Sequence, residues 1–322
     1  MQINQAKISS CPLHFKDSLR IYPENDGYFP AFLRLFINIY MVEKDMKMET
    51  KDLIMQSEVN RRRLMEIIYK AGAGHTGGDL SVMNLMTALY FDIMNVNPED
   101  PKMPDRDRFV LSKGHCVEAL YTVLEARGFI KPGVLDTLGQ FGSVLSGHPT
   151  IEVPGIEVNT GALGHGLPIG VGMAIAAKMD GKAYKTYVVM GDGEQGEGSI
   201  YEAAMAGNMY HLDNLVAVID RNYLQISGNT EDVMALDSVR ERWTAFGWEV
   251  IEMNGDDMQS ILDTFHAIDY SNGKPHLIVS RTTKGKGVSY MENVAKWHHG
   301  VPTQEQYEQA MKEIDERIKA LG

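Results

Sequence analysis

From position 48 onward the apolar residues switch between two periods. Over 52–72 they recur at helical spacing (Leu53, Ile54, Leu64, Ile67, Ile68), and the pattern stops at Gly72 and Gly74. A second helix is read over 81–94, with Asp79 or Ser81 as its N-cap. Short β-branched runs at 108–112, 184–190, 214–220, 248–251 and 276–281 predict strands. Between and after them come helices at 117–128, 169–179, 198–210, near 237–246 and near 257–268, and a terminal helix at 304–320. A Gly- and Pro-rich stretch at 139–168 reads as loop. Strands that alternate with helices in this way predict an α/β domain, a doubly wound parallel sheet flanked by helices, over 48–322.

Residues 1–47 stand apart as an extension of unknown role, with Met46 or Met48 as a candidate native start. The apolar run at 29–42 is interrupted by Arg34 and lacks a preceding basic region, which argues against a cleaved signal peptide. Composition then narrows the classes. With 44% apolar residues in 322, the chain can bury a sizeable core. A formal net charge of −12 without any run of Lys or Arg argues against a nucleic-acid partner. No apolar run reaches the ~18 residues of a membrane span. Two cysteines far apart in sequence, Cys11 and Cys116, suit a reducing cytoplasm.

The chemistry concentrates in "VVMGDGEQGEG" (188–198). Asp192 follows a strand end, where open α/β sheets bind ligands, and Gly191 and Gly193 allow a sharp turn and a close approach. The helix that follows offers its N-terminus to an anion. An aspartate beside an anion needs a cation between them, and Mg²⁺ or Ca²⁺ accepts such an oxygen set. Asn222 stands one strand–helix–strand step later, and its amide oxygen with a carbonyl near Leu224 completes a half-shell. Taken singly, a Gly-Asp-Gly turn is a tight turn, a lone histidine a hydrogen-bonding residue and Asn222 a cap. Glu194 reads as a solvent-facing acid, and the lysines of "TTKGKG" (282–287), Lys284 and Lys286, as a solvated loop.

Seven segments in order resemble transketolase: "GHTGG" (74–78), "DRFVLSKGH" (107–115), "GHP" (147–149), "GIEVNTGALGHG" (155–166), "GDGEQGEGSIYEA" (191–203), "IDRNYLQISG" (219–228) and "WHHGVP" (297–302). The resemblance implies a thiamine-diphosphate-binding fold and transfer of a two-carbon ketol unit from a ketose phosphate to an aldose phosphate, with the cofactor as electron sink. It implies that Asp192, Asn222 and the Leu224 carbonyl hold Mg²⁺, for which Ca²⁺ or Mn²⁺ can substitute, against the diphosphate beside Gly193. It assigns His75, His115, His148 and His299 to the sugar channel and the cofactor, with His298 a neighbour. Gly161, Ala162 and Leu163 match the stretch beside the aminopyrimidine ring, and Glu197 and Glu202 face the partner half.

The family's second half, which carries the pyrimidine-binding domain, has no counterpart here. The resemblance therefore implies an N-terminal subunit, inactive alone, that assembles with a separate C-terminal subunit as an α2β2 complex. Three alternatives stay open: half of another thiamine enzyme (the α chain of a 2-oxoacid dehydrogenase or a deoxyxylulose-phosphate synthase relative), a nicotinamide dehydrogenase, and a non-catalytic subunit. Within the transketolase reading, a sulfonated or branched sugar substrate is a further alternative. Glycines at 161, 164, 166 and 170 do not make the dinucleotide spacing.

Overall fold

The computed structural model describes residues 48–322, so the reading of 1–47 lies outside the described residues. Five parallel strands, β1 (Arg108–Leu111), β2 (Thr186–Gly191), β3 (Leu215–Arg221), β6 (Glu249–Asn254) and β7 (His276–Arg281), form one sheet in the order β1-β2-β3-β7-β6. Its register places Leu111, Val189, Val218, Ile278 and Ile251 in one row across all five strands. That row points to one face. Successive strand residues face opposite sides, so Val188, Ala217 and Leu277 line the other.

Helices cover both faces. On the Val189 side pack α1 (Thr50–Ala71), α2 (Thr76–Ala88), α3 (Val117–Arg127), α8 (Met258–His266) and α9 (Gln304–Leu321). On the Val188 side pack α4 (Gly166–Met179), α5 (Gly198–Met209) and α7 (Val239–Ala245). The sheet is thus apolar on both sides, which is why its strands read as continuous β-branched runs. α1 ends where the sequence pattern stops, with Gly72 at φ 66 as its left-handed cap.

Three local features differ from the sequence reading. α2 starts at Thr76 rather than 81, so Asp79 and Ser81 sit buried inside it and do not cap it. α4 starts at Gly166 rather than 169, because the chain turns helical as soon as it packs against Ser112. Just after Asn222 a small antiparallel ribbon, β4 (Leu224–Gln225) and β5 (Gly228–Asn229), leads into the short helix α6 (Thr230–Val233). No described helix is long and apolar enough to cross a membrane.

Candidate active site at the carboxyl edge of the sheet

Parallel packing brings the ends of β1, β2, β3 and β7 to one edge, and Lys113, Asp192, Asn222 and Lys284 all follow those ends. Asp192 is buried; its Oδ1 accepts from Gly193 N at 2.8 Å and its Oδ2 from Tyr223 N at 2.7 Å. The turn that carries Asn222 and Leu224 is thereby folded onto the carboxylate, helped by Tyr223 at φ 64. Arg221, also buried, lies 3.4 Å from Asp192 Oδ2 and is held by Thr230 Oγ1 at 2.6 Å. Burial, and then the nearby Asp220 carboxylate, push the Asp192 pKa above its ordinary value. A carboxylate held this way favours a cation beside it.

Asn222 donates from Nδ2 to Asp220 Oδ2 at 2.9 Å, while its Oδ1 accepts from Leu224 N at 3.1 Å. One carboxylate, one amide oxygen and one backbone carbonyl are hard oxygen donors of the kind Mg²⁺ or Ca²⁺ takes, so the residues fit such an ion. Among the described residues no group of three His, Cys, Asp or Glu offers a different metal site. The Leu224 carbonyl accepts from Lys284 Nζ at 3.0 Å, which shows that this oxygen faces a cation already.

Lys284 is 2% exposed and Glu194 2% exposed, both against the sequence reading of solvated side chains. Lys284 also lies 2.8 Å from His298 Nδ1, and burial, followed by the charge of Lys113, lowers its pKa to about 8. The signal for its burial lay in the next residue. Gly285 has φ 78, and a Cβ there would sit 2.5 Å from the Met291 carbonyl oxygen, so this segment is packed, not free. Glu194 accepts from Ser112 Oγ, from Gly164 N at 2.8 Å and from Gly191 N at 3.0 Å, tying the 160–166 loop to the ends of β1 and β2. Nothing in the sequence pattern set it apart from an exposed acid.

Behind the edge, Lys113 and Asp220 form a buried ion pair at 2.6 Å. Burial alone would raise the Asp220 pKa, but the Lys113 ammonium outweighs it and holds the carboxyl below its ordinary value. Ser81 Oγ adds a bond to Asp220 at 2.7 Å, which is the use the structure makes of this residue in place of a cap.

The histidines converge from three segments. The His75 ring lies 5.1 Å from His115, 5.8 Å from His298 and 4.8 Å from His299, and His115 and His298 stack at 5.3 Å. His298, read from the sequence as a neighbour only, is a full member of the cluster and less exposed than His299. Burial first, and then nearby cations and imidazoles, lower the pKa of His75 to about 4, of His115 to about 2 and of His298 to about 3. At neutral pH these rings are uncharged, so they present hydrogen-bonding nitrogens rather than positive charge. His148 is exposed on the long loop and packs on Gly161: a Cβ at Gly161 would lie 2.9 Å from its ring. A Cβ at Gly114 would in turn lie 2.8 Å from Gly161 N, so the 161–163 stretch rests on the segment that carries His115. Ala162 is exposed above it and Leu163 is half-buried. Glu197 and Glu202 are not drawn into this cluster; both are exposed, Glu202 on the outer face of α5.

Comparison with known proteins gives the family. The family described as "Transketolase, thiamine diphosphate binding domain" matches residues 54–315. The chain is 73% identical over 274 residues to an apulose-4-phosphate transketolase subunit from Phocaeicola vulgatus, covering 85% of this chain and 98% of that subunit. It is 40% identical to the 6-deoxy-6-sulfo-D-fructose transketolase subunit of a Clostridium species, covering 82% of this chain and 96% of that subunit. Transketolase from Campylobacter jejuni superposes with a TM-score of 0.78 at 30% identity, covering 84% of this chain and 43% of that one. The chain therefore spans less than half of that transketolase but nearly all of the separate subunits. It belongs to the transketolase family, as the thiamine-diphosphate-binding N-terminal part that occurs as a separate subunit in split transketolases.

Proposed function

We propose that this chain is the cofactor-holding subunit of a two-chain transketolase that moves a ketol unit from apulose 4-phosphate to an aldose phosphate. The observation that carries the reading is the meeting of Asp192, the 222–224 turn and the neutral histidine cluster at one sheet edge. The substrate rests on the 73% identity to an apulose-4-phosphate transketolase subunit.

In this reading Asp192, Asn222 Oδ1 and the Leu224 carbonyl hold Mg²⁺ against the diphosphate, and Lys284 adds a positive charge next to them. Bound there, thiamine diphosphate supplies the electron sink for cleavage beside the ketose carbonyl. His75, His115, His298 and His299, with His148 from the loop, orient the sugar hydroxyls and accept their protons. Gly161 to Leu163 lie against one side of the cofactor. A separate C-terminal subunit supplies the pyrimidine-binding half, in an α2β2 assembly in the cytoplasm. The outer faces of α4 and α5 suit such an assembly. Gly172, Ala176 and Met179 are exposed at helical spacing on α4, as are Glu202, Met205 and Met209 on α5.

The test is reconstitution. The purified chain with Mg²⁺ and thiamine diphosphate is expected to show no turnover of apulose 4-phosphate until the C-terminal subunit is added, and Asp192→Ala to abolish metal-dependent cofactor uptake in calorimetry. Turnover by this chain alone would contradict the two-chain reading. A preference of the pair for 6-deoxy-6-sulfo-fructose or xylulose 5-phosphate would contradict the substrate.

A further inference from the structure

Asp79 and Glu118 are acids that the proposed chemistry leaves unused, and both are buried, at 0% and 4% exposure. Each sits in the first turn of its helix, Asp79 in α2 and Glu118 in α3. Neither helix has a side-chain cap of its own: the N-cap residues are His75 for α2 and Cys116 for α3. Each acid caps the other helix instead. Asp79 Oδ1 accepts from Ala119 N at 3.0 Å, the third residue of α3, and the Glu118 carboxyl lies against the backbone N–H of His75. This is the arrangement of a capping box, exchanged between neighbouring helices.

The two carboxyl groups also face one another. One oxygen of each, Asp79 Oδ2 and Glu118 Oε2, is buried with no N–H or O–H donor. Two buried carboxylates facing each other repel, so the contact exists only if one of them carries a proton. We propose that Asp79 and Glu118 form a proton-sharing latch that exchanges caps between α2 and α3 and thereby sets His75 against His115. His75 is the capped residue itself, and His115 stands three positions before Glu118, with the rings 5.1 Å apart. The two acids are positioning residues; they touch backbone and each other.

The charge environment keeps the proton in place. Burial raises Asp79 well above its ordinary value, with Glu118 second, and burial raises Glu118 to about 7. The groups facing the pair are Lys113, whose charge draws Asp79 down, the buried Cys116 thiol, Tyr121 on α3 and the His75 backbone. Lys113 is already neutralised by Asp220 at 2.6 Å, so it does not take the pair's proton away. Below the unfolded carboxyl pKa both states are protonated. As pH rises toward about 7 the unfolded chain releases protons that the latch retains, so stability is lost over that window.

The importance of the two histidines rests on the proposed function, but the test needs neither substrate nor partner and so fails separately from it. In Glu118→Gln the amide oxygen still accepts from His75 N and the amide N–H₂ donates to Asp79, which fixes the latch without a shared proton. The full chain is expected to show the infrared carbonyl band of a protonated carboxyl at neutral pH, absent in Glu118→Gln. The unfolding constant of the parent relative to Glu118→Gln should rise by up to about tenfold per pH unit toward pH 7. The imidazole NMR signals of His75 and His115 should stay in place in Glu118→Gln and move together in Glu118→Ala and Asp79→Ala. A parent without the acid band, a flat ratio across pH, or histidine signals that move as far in Glu118→Gln as in Glu118→Ala would each overturn the latch.

Discussion

Asn222 Nδ2 lies 2.9 Å from Asp220 Oδ2, and this bond decides which end of the amide remains for a cation. With the nitrogen given to Asp220, Oδ1 is turned toward Leu224, next to the carbonyl expected to share the ion. Asp220 is in turn fixed by Lys113 and Ser81, so an ion pair within the core orients a ligand at the surface of the sheet edge.

Removing Asp220 should separate two effects. Asp220→Ala leaves the Lys113 ammonium buried and unpaired, a loss of about 3–5 kcal/mol in stability read from denaturant midpoints. It also frees the Asn222 amide to rotate, which should weaken metal-dependent cofactor binding by about 10–100-fold, as for other outer-shell partners. In Lys113→Met with Asp220→Leu the buried charges are gone, so most of the stability should return while cofactor binding stays weak. Recovery of both together would show that Asp220 acts through stability alone.

The loop that carries Gly161 to Leu163 depends on a close approach. A Cβ on Gly166 would lie 2.3 Å from Ser112 Oγ and 2.7 Å from Ser112 Cα. Because part of the clash is with backbone, Gly166→Ala should cost about 1–3 kcal/mol and should not be rescued by Ser112→Gly. Full rescue, measured by thermal unfolding of the double variant, would show that only the serine side chain is in the way.

Glu194 fixes the other side of the same loop. Glu194→Ala removes the acceptor for Gly164 N and Gly191 N, and bonds to a charged acceptor contribute about 1.5–3 kcal/mol each. The variant should therefore unfold earlier and bind thiamine diphosphate more weakly, with Glu194→Gln intermediate because it keeps an acceptor oxygen. Calorimetry that finds all three proteins equal in cofactor affinity would rule out the loop's part in binding.

The sequence revealed what depends on local pattern. β-branched runs marked the strands, and an acid following one of them marked the sheet edge, where open parallel sheets bind ligands. It did not reveal what depends on segments far apart in the chain. Glu194 is buried only because Gly164 and Ser112 close over it, thirty and eighty-two positions away. Lys284 is buried because the Leu224 carbonyl and His298 receive its donors. Asp79 matched a helix cap by type, and the structure uses it as one, but for α3 rather than α2. Residue type indicated the role and left the partner open.

The histidine cluster should leave its own mark on stability. His75, His115 and His298 have folded-state pKa values of about 4, 2 and 3, below the ordinary 6.5. As pH falls below 6.5 the unfolded chain takes up protons on these rings and the folded chain does not, so stability present above the unfolded pKa is lost as pH falls toward the folded values. The sign is opposite to that of the Asp79–Glu118 pair, and in the parent chain the two slopes oppose each other. In Glu118→Gln, where the pair is silenced, denaturant midpoints should fall between roughly pH 6.5 and pH 4.5, by at most about tenfold in the unfolding constant per pH unit for each ring. All three rings are half-buried, and their partial exposure reduces the share of each. Adding His115→Gln should remove one ring's share of the fall, and adding His298→Gln about the same share, because both rings stay neutral in the folded chain over that range. A fall that neither substitution changes would mean that these rings take up protons in the folded chain as readily as in the unfolded one, and that burial at the sheet edge is not what keeps them neutral.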